Sequence, residues 1–234
     1  QGLVLSAGVE AYHDEVTSDR VDTSTATGRS TAQRGAFPDD TTYDTLGAYL
    51  QAEARVGEIV RAFAANTGEL PLTLIFGGRY SRNAVAAQPP DFARVDQAFG
   101  AVVGSVGAIY EITPAVRLVG SVSQGYRAPN LDDTVVLREE PDLGLIDTPN
   151  PNLEPEEVVN YEGGVKLAAG RFQGQALYFY SDYANLIERT TEGTGFDDVN
   201  RNGIQDSGEL TFAQRRNIGA AVIEGVEATA DVYL

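Results

Sequence analysis

From Gly2 onward the chain alternates apolar and polar side chains over long runs, the period-two signature of strands whose two faces meet different media. In the run that begins at Tyr43, Leu46, Ala48, Leu50, Ala52, Ala54 and Val56 share one face, and Gln51, Glu53 and Arg55 the other. Val116, Leu118, Gly120 and Val122 oppose Arg117, Ser121 and Ser123; Val159, Tyr161, Val165 and Leu167 oppose Asn160, Glu162 and Lys166. Toward the end Val226, Ala228, Ala230, Val232 and Leu234 oppose Glu227, Thr229 and Asp231. The run from Phe172 departs from the rule. Leu177 and Phe179 share a face with Gln173 and Gln175, while Phe172, Tyr178 and Tyr180 lie on the other, so alternation does not say which side is the apolar one.

Eight strands are predicted: Gly2 to Val16, Tyr43 to Val60, Leu72 to Arg82, Asp96 to Ile112, Ala115 to Tyr126, Val158 to Leu167, Phe172 to Glu188, and Phe212 to the end. Long polar connections follow the first, third, fifth and seventh. Shorter ones follow the second, around Asn66-Thr67-Gly68, the fourth, at Thr113-Pro114, and the sixth, at Ala169-Gly170. Loops that are long at one end and short at the other are a habit of outer-membrane barrels, whereas a soluble sandwich turns tightly at both ends. Apolar-out and polar-in alternation fits the same architecture, with Tyr110, Tyr126, Tyr161 and Tyr180 placed where aromatic girdles form.

Between the fifth and sixth strands lie two proline-pinned boxes, Tyr126-Arg127-Ala128-Pro129-Asn130-Leu131 and Asn150-Pro151-Asn152-Leu153-Glu154-Pro155-Glu156-Glu157. Their wording and order resemble the late barrel region of TonB-dependent outer-membrane receptors. Tyr49-Leu50-Gln51-Ala52-Glu53, Phe76-Gly77-Gly78-Arg79-Tyr80 and Gly107-Ala108-Ile109-Tyr110-Glu111-Ile112-Thr113-Pro114 look like successive receptor strands. Asn160-Tyr161-Glu162-Gly163-Gly164, Ala176-Leu177-Tyr178-Phe179-Tyr180 and Gly225-Val226-Glu227 continue the series, so the likeness covers nearly the whole chain.

The resemblance implies an all-β fold, with the eight antiparallel transmembrane strands of residues 1–234 forming one segment of a 22-stranded barrel in the bacterial outer membrane. It also implies energy-coupled uptake of a scarce nutrient such as a ferric siderophore, cobalamin or an oligosaccharide. The partners implied are outer-membrane lipid, a small-molecule ligand, and a TonB-type energising complex reached through a plug that these residues do not contain. Haem receptors of the family carry an iron-ligating histidine between the two boxes; no histidine lies between Asn130 and Pro149. The alternative architecture is a self-contained small barrel with a structural or adhesive role.

Composition narrows the picture. Asp and Glu number 34 against 17 Lys and Arg, for a net charge of -17, and phosphate binding needs a basic face, so nucleic acid is excluded as a partner. Acidic loops also suit a neutral or cationic ligand better than an anionic one. No run of eighteen apolar residues provides a membrane helix, and no basic-apolar-small leader opens the sequence. There is no cysteine, one histidine (His13) and one lysine (Lys166), which removes thiolate, disulfide and histidine-cluster chemistry. Asp132-Asp133, Glu139-Glu140 and Glu156-Glu157 are adjacent pairs that on a strand would face opposite ways, and Gly77-Gly78 and Gly163-Gly164 lack the helix and lysine of a phosphate cradle. An enzyme is not expected.

One motif has chemistry of its own. Within the 189–211 external loop, Asp198 to Glu209 fits a twelve-residue calcium loop. Oxygen ligands are expected from Asp198, Asn200, Asn202, the backbone of Ile204, Asp206 and a bidentate Glu209, with Gly203 at the tight turn. The expectation is a structural calcium held between two strands.

Overall fold

The computed structural model describes residues 2–63, 70–191 and 193–233. In chain order the elements are β1 (Leu3–Val16), β2 (Asp19–Thr23), β3 (Ser30–Arg34), β4 (Thr41–Arg55), α1 (Val56–Phe63), β5 (Leu72–Ala87), β6 (Val95–Thr113) and β7 (Val116–Arg127). They continue with α2 (Leu131–Thr134), β8 (Arg138–Glu140), β9 (Leu145–Thr148), β10 (Glu156–Ala169), β11 (Phe172–Thr190) and β12 (Thr211–Val232). One sheet joins ten of these strands in the order β1-β4-β5-β6-β7-β10-β11-β12-β9-β8, and β2 and β3 form a separate hairpin.

All eight predicted strands are present, and they pair with their neighbours in sequence as an antiparallel wall. The sheet stays open: among the described residues β1 and β12 do not pair. The turns Pro114-Ala115 and Gly170-Arg171 are tight, and Gly170 takes φ 59, a left-handed conformation that costs glycine nothing.

Two predictions need correction. The strand expected to run to Val60 stops at Arg55 and becomes α1, because Val56, Ile59, Val60 and Phe63 repeat at helical spacing and carry their apolar side chains on one stripe. The predicted connection at Asn66-Thr67-Gly68 lies outside the described residues. The long loop from Ala128 to Pro155 is also not featureless. It contributes α2, β8 and β9, and β9 runs parallel to the outer end of β12.

Register separates the two faces of the wall. On one face Leu5, Val9, Leu50, Phe76, Val106, Tyr161, Val165, Val226 and Val232 are all strongly exposed, a continuous apolar surface of the kind that marks contact with lipid. The other face carries Gln51, Ser105, Ser121, Asn160 and Lys166, together with the ion pairs Arg79–Glu10 and Arg117–Glu111. β11 now resolves. Tyr180 stands opposite Tyr161, with ring centroids 6.3 Å apart, so Phe172, Tyr178 and Tyr180 belong to the apolar face. Glu224 shares that face and takes a hydrogen bond from the Tyr178 hydroxyl at 2.6 Å.

Leu177 and Phe179 are tolerated on the wet face because each lies across from a glycine. A Cβ on Gly164 would come within 2.8 Å of Leu177 Cδ2, and one on Gly225 within 2.9 Å of Phe179 Cζ. The glycines thus receive these side chains in addition to any part in curvature. Tyr126, expected in a girdle, instead packs against the buried cluster of Val85, Ala87, Val95, Phe99 and Val135 at the loop end of the wall, beside Phe37, Tyr43, Ala128 and Leu131.

The face assignment makes a quantitative prediction. In the full-length protein refolded into bilayers, Leu50→Arg should cost about 2–4 kcal/mol in denaturant unfolding, the range for arginine facing lipid near the midplane. Gln51→Arg should stay within about 0.5 kcal/mol. Equal tolerance of both would mean the faces are wrongly assigned.

Candidate functional site at the loop end of the wall

The two boxes meet in space through charge. Arg127, at the end of β7, is the direct cross-strand partner of Glu156 at the start of β10. Its Nε and Nη2 donate to the two oxygens of that carboxylate at 2.5 and 2.7 Å, a fork-on-fork geometry available only to arginine. Its Nη1 donates to Asp133 Oδ2 at 2.7 Å. Asp133 also closes a capping box: the Asn130 side chain accepts from the Asp133 N–H at 2.9 Å, and the Asp133 carboxylate accepts from the Asn130 N–H at 3.1 Å. The pieces read in sequence as two separate motifs are one clamp.

Two further arginines pose an electrostatic problem that the loop solves. Arg189 on β11 and Arg215 on β12 stand directly opposite each other in the ladder, where like charges repel. Arg189 donates to Asp147 at 2.6 Å and to Glu140 at 2.8 Å, both on the loop. Arg215 donates to Asp132 at 2.7 Å, and Arg138 donates to the other oxygen of Asp132 at 2.8 Å. Burial pushes the Asp132 carboxyl upward, but the hydrogen bonds from Arg215 and Arg138 outweigh it and hold the group below the usual carboxylate range.

Uncharged contacts complete the attachment. The Asn150 side chain donates to the Arg215 carbonyl at 2.7 Å and accepts from the Asn152 N–H at 2.9 Å. Asn217 donates to the carbonyls of Glu154 and Asn185, both at 2.8 Å. Asn185, at φ 57, sits in a bulge where β11 slips register against β12, and close to it the Ile187 N–H turns to Glu156 Oε1 at 2.8 Å. Leu153 and Pro129 of the boxes are buried.

The predicted calcium loop adopts a compact turn. Asp198 accepts from the N–H groups of Asn202 and Gly203 at 3.0 and 2.8 Å, and Glu209 from those of Val199 and Asp206 at 3.0 and 2.8 Å. Asn200 and Asn202 both donate their side-chain amides to Asp206 Oδ2 at 2.7 Å. Asp198, Asn200, Asn202, Asp206 and Glu209 are therefore tied into one network, with Ile204 between them and its N–H bound to Asn202 Oδ1 at 2.6 Å. Among the described residues no group of three or more His, Cys, Asp or Glu side chains is gathered as for a metal.

His13 is remote from the clamp. It lies on the apolar face of β1, at the loop end, bound to Asp44 at 2.6 Å. It cannot reach the polar face.

The clamp generates two predictions. Arg127→Ala leaves Glu156, whose side chain is only 16% exposed, without its cation, and leaves Asp133, 10% exposed, with only the more distant Arg215 Nε at 3.8 Å. Allowing for the partial exposure of Arg127, the loss should be about 1–3 kcal/mol. It should appear as faster proteolysis and amide exchange within 128–155 while the wall strands are unchanged, with Arg127→Lys intermediate; an unaltered loop would refute the clamp. Because the folded Asp132 carboxyl is held low, its contribution is complete above the unfolded value near 3.9 and disappears as pH falls through the lower folded value. Loop exchange measured against pH should therefore accelerate in acid, and less so in Asp132→Asn.

Comparison with known proteins agrees with this geometry. The chain is 33% identical over 129 residues to hemoglobin-haptoglobin utilization protein B of Neisseria meningitidis, a match covering 52% of this chain and 15% of that protein. It is 25% identical over 123 residues to a probable hemoglobin and hemoglobin-haptoglobin-binding protein of Haemophilus influenzae, covering 53% of this chain and 12% of the relative. The chain thus spans well under a fifth of the length of these curated relatives. Among solved structures, the Serratia marcescens hemophore receptor HasR, in complex with its hemophore HasA and heme, superposes with a TM-score of 0.70 at 17% identity, over 98% of this chain and 36% of the receptor. The FrpB iron transporter of Neisseria meningitidis superposes with a TM-score of 0.59 at 16% identity, over 100% of this chain and 31% of the transporter. A family model, TonB dependent receptor-like β-barrel, matches residues 3–234, and the chain belongs to that family of bacterial outer-membrane receptors.

Proposed function

We propose that this wall is part of a receptor that draws haem iron from a haem-carrying protein, with energy supplied through TonB. The observation that carries the reading is the 33% identity to a hemoglobin-haptoglobin utilization protein across half the chain. The acidic surface agrees with a cargo presented by a protein in place of a free anionic chelate. The chain's part in that work is to hold the mouth and not to ligate iron: no histidine lies between Asn130 and Pro149, and His13 faces away from the polar side. Siderophore, cobalamin and oligosaccharide cargoes lack a comparable support. The test is growth of iron-starved cells on haemoglobin–haptoglobin. Deleting the receptor, or TonB, should abolish growth on this source while leaving growth on an unrelated ferric siderophore dependent only on TonB. Undiminished growth of the receptor deletion on haemoglobin–haptoglobin would end the reading.

We further infer that the turn from Asp198 to Glu209 takes up calcium. Rotating the Asn200 and Asn202 amides would bring two carbonyl oxygens beside Asp198, Asp206 and Glu209, a hard-oxygen set suited to that ion. Titration calorimetry should give a dissociation constant of about 10⁻⁴–10⁻³ M, the range of extracellular modules. Glu209→Gln should remove the binding. No heat at millimolar calcium would dismiss the site.

A further inference from the structure

β6 and β7 pair only as far as Ser105 and Ser123. Beyond that point β7 continues beside β10 into the box at Arg127, while β6 runs on to Val95 paired with β5 alone. The strands part in a V that opens toward the loop end. Its apex is closed by a side chain, the Gly104 N–H donating to Gln124 Oε1 at 3.2 Å.

The direction of that bond fixes which backbone groups face the gap. Gly104 points its N–H toward β7, whereas Glu111, of opposite parity, donates to Pro71 on the β5 side at 2.9 Å. In an antiparallel strand each residue directs both its N–H and its C=O to one side, and successive residues alternate. Asp96, Ala98, Gly100 and Val102 therefore direct their N–H and C=O groups into the gap. All four residues are exposed, Val102 to 78%, and their groups have no backbone partner among the described residues. The rest of the barrel does not supply one as the next strand, because both neighbours of β6 belong to this chain.

Here is an unpaired strand edge about 20 Å long, flanked by small residues at Ala98 and Gly100 that let another backbone approach. Alternating donors and acceptors at that spacing match one chemistry, an extended polypeptide adding itself as a strand. We propose that the free edge of β6 from Asp96 to Val102 receives an extended segment of the haem-carrying protein. Asp96 at the open end, on a chain of net charge -17, favours a segment with basic flanks. The proposal rests on the reading of a protein-borne cargo; it differs from recognition by loop tips, because main-chain hydrogen bonds supply the affinity.

The experiment uses the full-length receptor in detergent or nanodiscs with haemoglobin as the probe. Amides of the 96–102 stretch should exchange rapidly in the free receptor and slow by about tenfold or more when haemoglobin is added. Gly100→Pro removes one N–H that faces the gap and leaves the β5 ladder intact, since proline is accepted on a strand edge. It should weaken haemoglobin binding by up to about tenfold, the worth of one good hydrogen bond, while the melting of the barrel is unchanged. If haemoglobin binds but the stretch exchanges as before, or if its amides are already protected in the free receptor, the edge assignment fails alone. If haemoglobin does not bind the wild type at all, the cargo reading fails and the edge assignment with it. The exchange measurement decides the matter even where the proline variant does not fold.

Discussion

Two arginines face each other across β11 and β12, and the outer architecture follows from the need to neutralise them. Left to the wall alone, Arg189 and Arg215 would push the strands apart where the sheet leaves the membrane and loses the support of lipid. Asp132, Asp147 and Glu140 arrive from a loop that begins three strands away, and Asp133 ties the same loop to Arg127. Charge that would destabilise the ladder becomes the means of holding the loop. The strength of the arrangement lies in its sharing: Asp132 lies between Arg138 and Arg215, and Asp133 between Arg127 and, at 3.8 Å, Arg215 Nε, so no single exposed pair has to hold the loop alone.

The membrane-facing part of the wall obeys a different constraint. There the backbone must be fully paired, and the side chains need only be apolar outward. Seven regular ladders between the eight wall strands meet that requirement with little specific packing, and the buried core is small and confined to the loop end around Val85, Phe99 and Val135. Regularity below and specific contacts above divide the chain between a medium that forbids unpaired backbone and one that permits it. The bulges near Asn185 and the parting of β6 from β7 both fall on the permissive side.

This division explains what could be read from the sequence. The strands were legible because lipid imposes a strict period of two. The tight turns at Thr113-Pro114 and Ala169-Gly170 were marked by residues that turns require. β11 was ambiguous because Leu177 and Phe179 lie across from Gly164 and Gly225, a relation between strands that no single-strand pattern records. α1 had a signal in the spacing of Val56, Ile59, Val60 and Phe63, but it was masked by the alternating run just before it. The boxes were visible as motifs, yet their union through Arg127, Asp133 and Glu156 was not, since cross-strand register decides it. β8 and β9 were too short to produce any period. The acids of the calcium-like turn were found by spacing alone, and the structure adds that they share one hydrogen-bonded network.

The course of the 128–155 segment has a mechanical consequence. It leaves β7, passes over β10 and β11, and fastens by backbone and side chain to β12, so it acts as a strap across three consecutive seams. A strap of this kind removes hinge freedom from one flank of the rim. These four strands must move as a single rigid plate, and any widening of the rim has to be accommodated along other seams of the barrel.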